Sequence, residues 1–175
     1  MKSLRLMWRV AVFAPFIALV PPQDAVGQMR SPQVLTLGGG VARYDLGGDK
    51  GTTAVFVARF DGTIGQYFVI EPGFAYMHFS GQFGGRNYLL PEISFQGQGY
   101  IGPVRPFLGA GIGFANISTG PSQSQVSLHA VSGLRIRFGG GWGMRLEVRA
   151  RAVDPFHNHT YDFTGGIMRV LPGSM

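Results

Sequence analysis

Two groups of residues in this sequence have types and spacings that could do chemistry. The first is DPFHNHTYD, residues 154–162, where His157 and His159 alternate and Asp154 and Asp162 flank them. Alternate residues on extended backbone point the same way, and imidazole with carboxylate is a donor set for zinc or another transition metal. No third strong ligand follows at a matching spacing. The stretch therefore reads as a polar loop, and no metal or other cofactor is expected. The second group is charged: Arg59, Glu71, Glu92, Arg135, Arg137, Arg145, Glu147 and Arg149. In WGMRLEVRARA, Trp142 to Ala152, every second position is apolar while Arg145, Glu147, Arg149 and Arg151 fall between. Guanidinium and carboxylate make bidentate pairs in confined space. These residues read as an ion-pair network, although a catalytic carboxylate would look the same in sequence.

Other chemistry is excluded more simply. GGGVARYDLGG and GAGIGFA are glycine-rich, but neither leads into a helix whose N-terminus could receive phosphate. The glycines suit strand curvature, bulges or tight packing against neighbouring side chains. There are no cysteines, so disulfides, thiolate metal sites and lipoprotein acylation are excluded. The chain carries a formal charge of +6. Its arginines are nevertheless spaced singly along alternating segments instead of forming a patch, which argues against nucleic acid as a partner.

The N-terminus has the order of a secretory signal peptide. Lys2, Arg5 and Arg9 precede the compact apolar run VAVFAPFIALV, and Ala25 and Gly27 stand three and one before a cut ahead of Gln28. The run is too short for a spanning helix, which needs about 20 residues, and Pro15 interrupts it. The organisation expected is a cleaved segment over 1–27 and one domain over 28–175.

That domain reads as all-β. Eight segments alternate or run apolar between turn signals: 34–46, 52–60, 66–79, 87–100, 105–118, 125–138, 142–153 and 161–171. Each is near the roughly ten residues a tilted strand needs to cross a membrane. Two solvents are open to the apolar faces, a protein core or lipid. A soluble barrel or sandwich usually shows lysine-rich charge of mixed sign to water, and such a lipocalin-like carrier would bind an apolar ligand inside. Here Lys50 is the one lysine after the leader, and the polar faces carry Arg and Glu. Aromatic residues also recur near segment ends, where interfacial girdles lie. Lipid outside and charge inside is the reading these residues favour.

The sequence resembles the small outer-membrane β-barrels of Gram-negative envelopes, the OmpA-like and related eight-stranded families. YFVIEPGFAYMHF, RPFLGAGIGFA, MRLEVRARAVDPF and the closing DFTGGIMRV carry the resemblance, which covers essentially all of 28–175. It implies an eight-stranded antiparallel up-and-down transmembrane barrel, barrel domain only, in the outer membrane. It also implies contact with outer-membrane lipid and lipopolysaccharide, and assembly machinery that recognises the last strand. Gly165, Met168 and Val170 match that strand's signal, while Phe163 and the ending LPGSM depart from it. A fainter resemblance is to the lipid A deacylase barrels. It would assign His159, with Thr160 or Thr164 as the hydroxyl and Glu147 as orienting acid; the family's serine has no match. The expectation is a monomeric, non-enzymatic envelope barrel with a plugged, charged lumen, serving envelope structure or surface interaction. A deacylase-like hydrolase, the soluble carrier and a narrow ion pore are the alternatives.

Overall fold

The structure is a computed structural model that describes residues 33–46, 50–81, 84–118, 123–153 and 158–171. The leader expected over 1–27, and His157 and Asp154 of the loop motif, lie outside the described residues. Eight strands follow in chain order: β1 (Val34–Leu46), β2 (Lys50–Ile64), β3 (Phe68–Gly81), β4 (Gly84–Gln98), β5 (Val104–Ser118), β6 (Gln123–Gly139), β7 (Trp142–Val153) and β8 (Asn158–Val170). Each pairs antiparallel with its chain neighbour, and β1 pairs with β8, from Val34↔Val170 to Leu46↔Asn158. The sheet closes on itself, so no strand is left with an unpaired edge.

Three tight turns and both ends of the described chain lie at one end of the barrel. Gly65 (φ 64°) turns β2 into β3, Gly102 (φ 58°) turns β4 into β5, and Gly139–Gly141 (φ 105°, 57° and 74°) turn β6 into β7. Such left-handed backbone is open to glycine at little cost. In barrels of this kind the short turns face the periplasm.

Several strand limits differ from the sequence reading, and two of the differences move functional candidates. DGTIG, expected to be a connection, belongs mostly to β2, because Gly65 supplies the turn and Gly62–Ile64 still pair with Ile70–Phe68. Asp61 is thus a strand residue and faces inward. At the other end β8 begins at Asn158, because Asn158–Thr160 pair with both Val153–Arg151 and Leu46–Tyr44. His159 and Thr160 are therefore fixed on a strand, not held in a loop.

The two faces separate as period-two alternation requires. Leu37, Phe56, Phe74, Phe95, Leu108, Phe114, Leu128, Leu146, Val148, Phe163 and Ile167 point outward and are exposed, Leu108 to 69% and Phe56 to 61%. A belt this apolar is what a lipid solvent demands, since water would leave a hydrophobic patch around the whole girth. Tyr67, Phe68, Tyr100, Phe138 and Trp142 ring the turn end of this face. Outward-facing Arg43, His78, Asn87 and His159 mark its other end.

The interior is layered. Towards the loop end it is apolar, with Tyr44, Val55, Met77, Phe79, Tyr88, Leu90 and Ile117 packed together. The Phe79 ring meets Tyr44 and Tyr88 edge-on, at 4.5 and 4.6 Å between centroids, the arrangement aromatic quadrupoles favour. Below this layer the lumen is charged.

Candidate functional site

The charged layer is the densest concentration of chemically capable groups among the described residues. Arg59, Arg135, Arg145, Arg149 and Arg151 face Asp61, Glu71, Glu92, Glu147 and Asp162, all buried. Five cations oppose five carboxylates, so the layer is formally neutral. Glu71 is reached by Arg145, by Arg149 Nη2 at 3.1 Å and by Arg135 Nη2 at 3.4 Å. Glu92 is reached by Arg59, by Arg149 Nη1 at 2.6 Å and by Arg151 Nη2 at 3.2 Å. Glu147 takes Arg59 Nη2 at 3.1 Å, Arg145 Nη2 at 2.5 Å and Arg149 Nε at 2.8 Å. Asp61 takes Arg135 Nε at 2.9 Å and Arg145 Nη1 at 3.3 Å, and Asp162 pairs with Arg151.

Glycines create the room for these long side chains. On β5 the inward positions are Gly109, Gly111 and Gly113, and a Cβ at Gly111 would stand 2.5 Å from His129 Nε2. One at Gly109 would meet the Gln96 side chain at 2.7 Å, and one at Gly113 the Glu92 Cβ at 2.9 Å. The GAGIGFA motif is therefore a trough that receives residues from β4 and β6. Gly133 serves Phe107 in the same way. That ring in turn lies 4.1 Å from the Arg135 guanidinium and 4.5 Å from that of Arg145, within cation–π range.

Of the charged residues singled out in the sequence, the structure brings Arg59, Glu71, Glu92, Arg135, Arg145, Glu147 and Arg149 together. Arg137 is not among them: it is half-buried at the turn-end mouth and makes no ion pair among the described residues. Asp61 and Asp162 are members that sequence reasoning left out. The signal for both was their parity, since Asp61 shares that of Arg59, and Asp162 that of Thr164.

The residues of the hydrolase reading are separated by the sheet itself. His159 points outward and is exposed, whereas Thr160 and Glu147 are buried on the inner face. Thr164, opposite Glu147 in the β7–β8 register, is also inward. A wall of backbone stands between the imidazole and either hydroxyl. The metal reading keeps only His159 and Asp162 within the described residues, and they too occupy opposite faces; no group of three metal-capable side chains gathers among the described residues.

One arrangement went unnoticed in sequence. Ser94 Oγ lies 2.8 Å from His129 Nε2, and His129 Nδ1 lies 3.7 Å from Glu92 Oε2. The order is that of a hydroxyl, a base and an orienting acid. Its surroundings oppose that use. Arg149 Nη1 sits 3.1 Å from the same imidazole nitrogen and 3.3 Å from Ser94 Oγ, Glu92 is held by three arginines, and Ser94 is 0% exposed. No substrate reaches it without unpacking the lumen. The set is a hydrogen-bonded part of the plug.

No protein-family model and no curated protein matches the chain. Solved structures do. Neisserial surface protein A, NspA, superposes with a TM-score of 0.65 at 12% identity, over 79% of this chain and 97% of that one. The attachment invasion locus protein Ail of Yersinia pestis, solved with the heparin analogue sucrose octasulfate, gives 0.52 at 17% identity, over 79% and 99%. The outer membrane enzyme PagL gives 0.54 at 17% identity, also over 79% and 99%. The chain has the fold of the small eight-stranded outer-membrane barrels. Its apolar girth and inward charge are what that location requires, and the carrier alternative, with its faces inverted, does not agree with them.

Proposed function

We propose that the chain is a non-enzymatic outer-membrane barrel, a sealed element of the envelope that contributes structure or a surface for contact. The observation that carries this is the filled lumen. Eight strands enclose an interior just wide enough for side chains, and here an apolar layer is stacked on a neutral ion-pair layer. Among the described residues the two layers fill the lumen with packed and paired side chains, which supports a barrel without a channel or a lipid cleft. The outer belt is solvated by membrane lipid, with lipopolysaccharide against the loop-end rim where Arg43 faces outward unpaired among the described residues. The last strand, with Gly165, Met168 and Val170, addresses the assembly machinery, and the barrel works as a monomer. PagL shows that the fold can host an enzyme, so activity is tested directly. Purified, folded protein is incorporated into planar bilayers, and in parallel incubated with lipopolysaccharide. The expected result is no stepwise current and no change in lipid A acylation. Discrete conductance would establish a pore, and loss of an acyl chain would establish a hydrolase.

A further inference from the structure

The turn-end mouth of the lumen holds cations that the ion-pair layer does not neutralise. Arg105 on β5 stands directly opposite Arg135 on β6, and Arg135 directly opposite Arg145 on β7. Three arginines thus form a row across adjacent strands, an arrangement that like charge makes unfavourable. Asp61 and Glu71 compensate Arg135 and Arg145. They do not reach Arg105, and Arg137, one inward position further along β6, also has no carboxylate among the described residues. Arg105 stacks on the Tyr100 ring at 4.6 Å, which satisfies the plane of its guanidinium, and its N–H edge has no partner among the described residues.

These residues line a crevice open at the mouth. Its walls include Arg105, Arg135, Arg137, Gln98, Thr63 and the already engaged Asp61. At its inner end Arg135 is buried to 5% exposure, with Nε on Asp61 and Nη2 on Gln96 and Glu71. Two guanidinium groups at the mouth without a carboxylate among the described residues, backed by a third, present the positive charge and N–H donors that an oxyanion matches.

We propose that this crevice binds a phosphate-class oxyanion, held by Arg105 and Arg137 at the mouth with the buried Arg135 guanidinium adding positive charge behind them. Planar guanidinium groups offer paired N–H donors that match phosphate oxygens. The Thr63 hydroxyl adds a neutral donor on the wall, while the Gln98 amide hydrogens already go to Gln66 O and Tyr100 Oη, at 3.1 Å each. The same group reaches the mouth from two sources, as free phosphate or as the headgroup of an anionic phospholipid.

The test uses the processed, folded protein in phosphatidylcholine nanodiscs and phosphate-free buffer. Inorganic phosphate is titrated calorimetrically, and separately phosphatidylglycerol is added to the disc and the thermal midpoint followed. Arg105→Gln with Arg137→Gln is the site variant, and Arg43→Gln, at the opposite end, is the control. Phosphate binding that weakens at least tenfold in the site variant and persists in the control supports a free-ion site. A midpoint raised by phosphatidylglycerol in the parent and the control, but not in the site variant, supports a headgroup site. No response to either probe, or an equal response in both variants, overturns the proposal. Arg137→Gln alone breaks no ion pair among the described residues and carries the test if the double variant does not fold; it must weaken the response severalfold.

Discussion

Arg59 Nη2 and Glu147 Oε1 lie 3.1 Å apart although they come from β2 and β7, strands that are not neighbours in the sheet. Two strands, β1 and β8, intervene on the shorter way round the wall. The pair is therefore a strut across the lumen, and with Glu92–Arg149 and Glu71–Arg145 it ties opposite walls together. Backbone hydrogen bonds close the barrel around its circumference; these ion pairs brace it across its width.

Removing one end of a strut leaves buried charge without its partner. Glu147→Gln strands contacts from Arg59, Arg145 and Arg149, and the expected cost is about 3–5 kcal/mol. The companion variant with Arg59→Met and Glu147→Met removes both charges and is expected to be more stable than Glu147→Gln alone. Urea unfolding in lipid vesicles, run as a double-mutant cycle, measures both. A cycle with no coupling would mean that the strut does not act as a unit.

The outward face carries a depth-dependent prediction. Val148 lies near the middle of β7 and points outward, and Phe138 points outward at the turn end of β6. Val148→Arg is expected to cost about 2–4 kcal/mol and Phe138→Arg about 0–1 kcal/mol, as the charge nears the interface. The same unfolding assay ranks them. Equal small costs would be the behaviour of a face in water.

The glycine trough predicts a contrast between two substitutions that are alike on paper. At Gly111 a Cβ would meet the Ile93 carbonyl oxygen at 2.1 Å and the His129 ring at 2.5 Å, while at Gly62 its nearest contact is 3.6 Å. Gly111→Ala is expected to destabilise by about 1–3 kcal/mol through overpacking, and Gly62→Ala by much less. Comparable stabilities in the two variants would contradict the packing described.

The hydrolase alternative makes its own demand on His159. Because the imidazole and the hydroxyls of Thr160 and Thr164 occupy opposite faces, His159→Ala is expected to leave lipid A acylation as it is in the parent. Mass spectrometry of lipid A from cells expressing each form reads this. A parent activity that vanishes in the variant would restore the enzyme.

Much of this architecture was legible because one strand face is charged and the other is not. In MRLEVRARA the parity of four charges fixes the register, since a one-residue slip would turn all of them into lipid. The same signal faded where both faces are apolar, as in AVFV of β2 and AYM of β3, so the inner layer of Val55, Val57, Ala75 and Met77 was not foreseen. Asp61 was hidden by its neighbours: DG is a turn signal, and only the pairing of Gly62–Ile64 with β3 shows that the turn waits for Gly65. The Ser94–His129–Glu92 contact joins β4 to β6, which are not adjacent in the sheet, and no spacing along one chain encodes a meeting across a lumen. Arg137 had the right parity but lies too near the mouth to reach a carboxylate.

The central claim is that β7 turns its apolar side to lipid and its charges inward. The chain has no native cysteine, so single cysteines at Met144, Leu146, Val148, Ala150 and Ala152 can each carry an environment-sensitive fluorophore without background and without touching the ion-pair layer. In reconstituted vesicles the account predicts quenching by brominated lipid and protection from aqueous iodide at all five positions, strongest near Val148. Quenching by iodide with none by lipid would place this face in water and contradict the account.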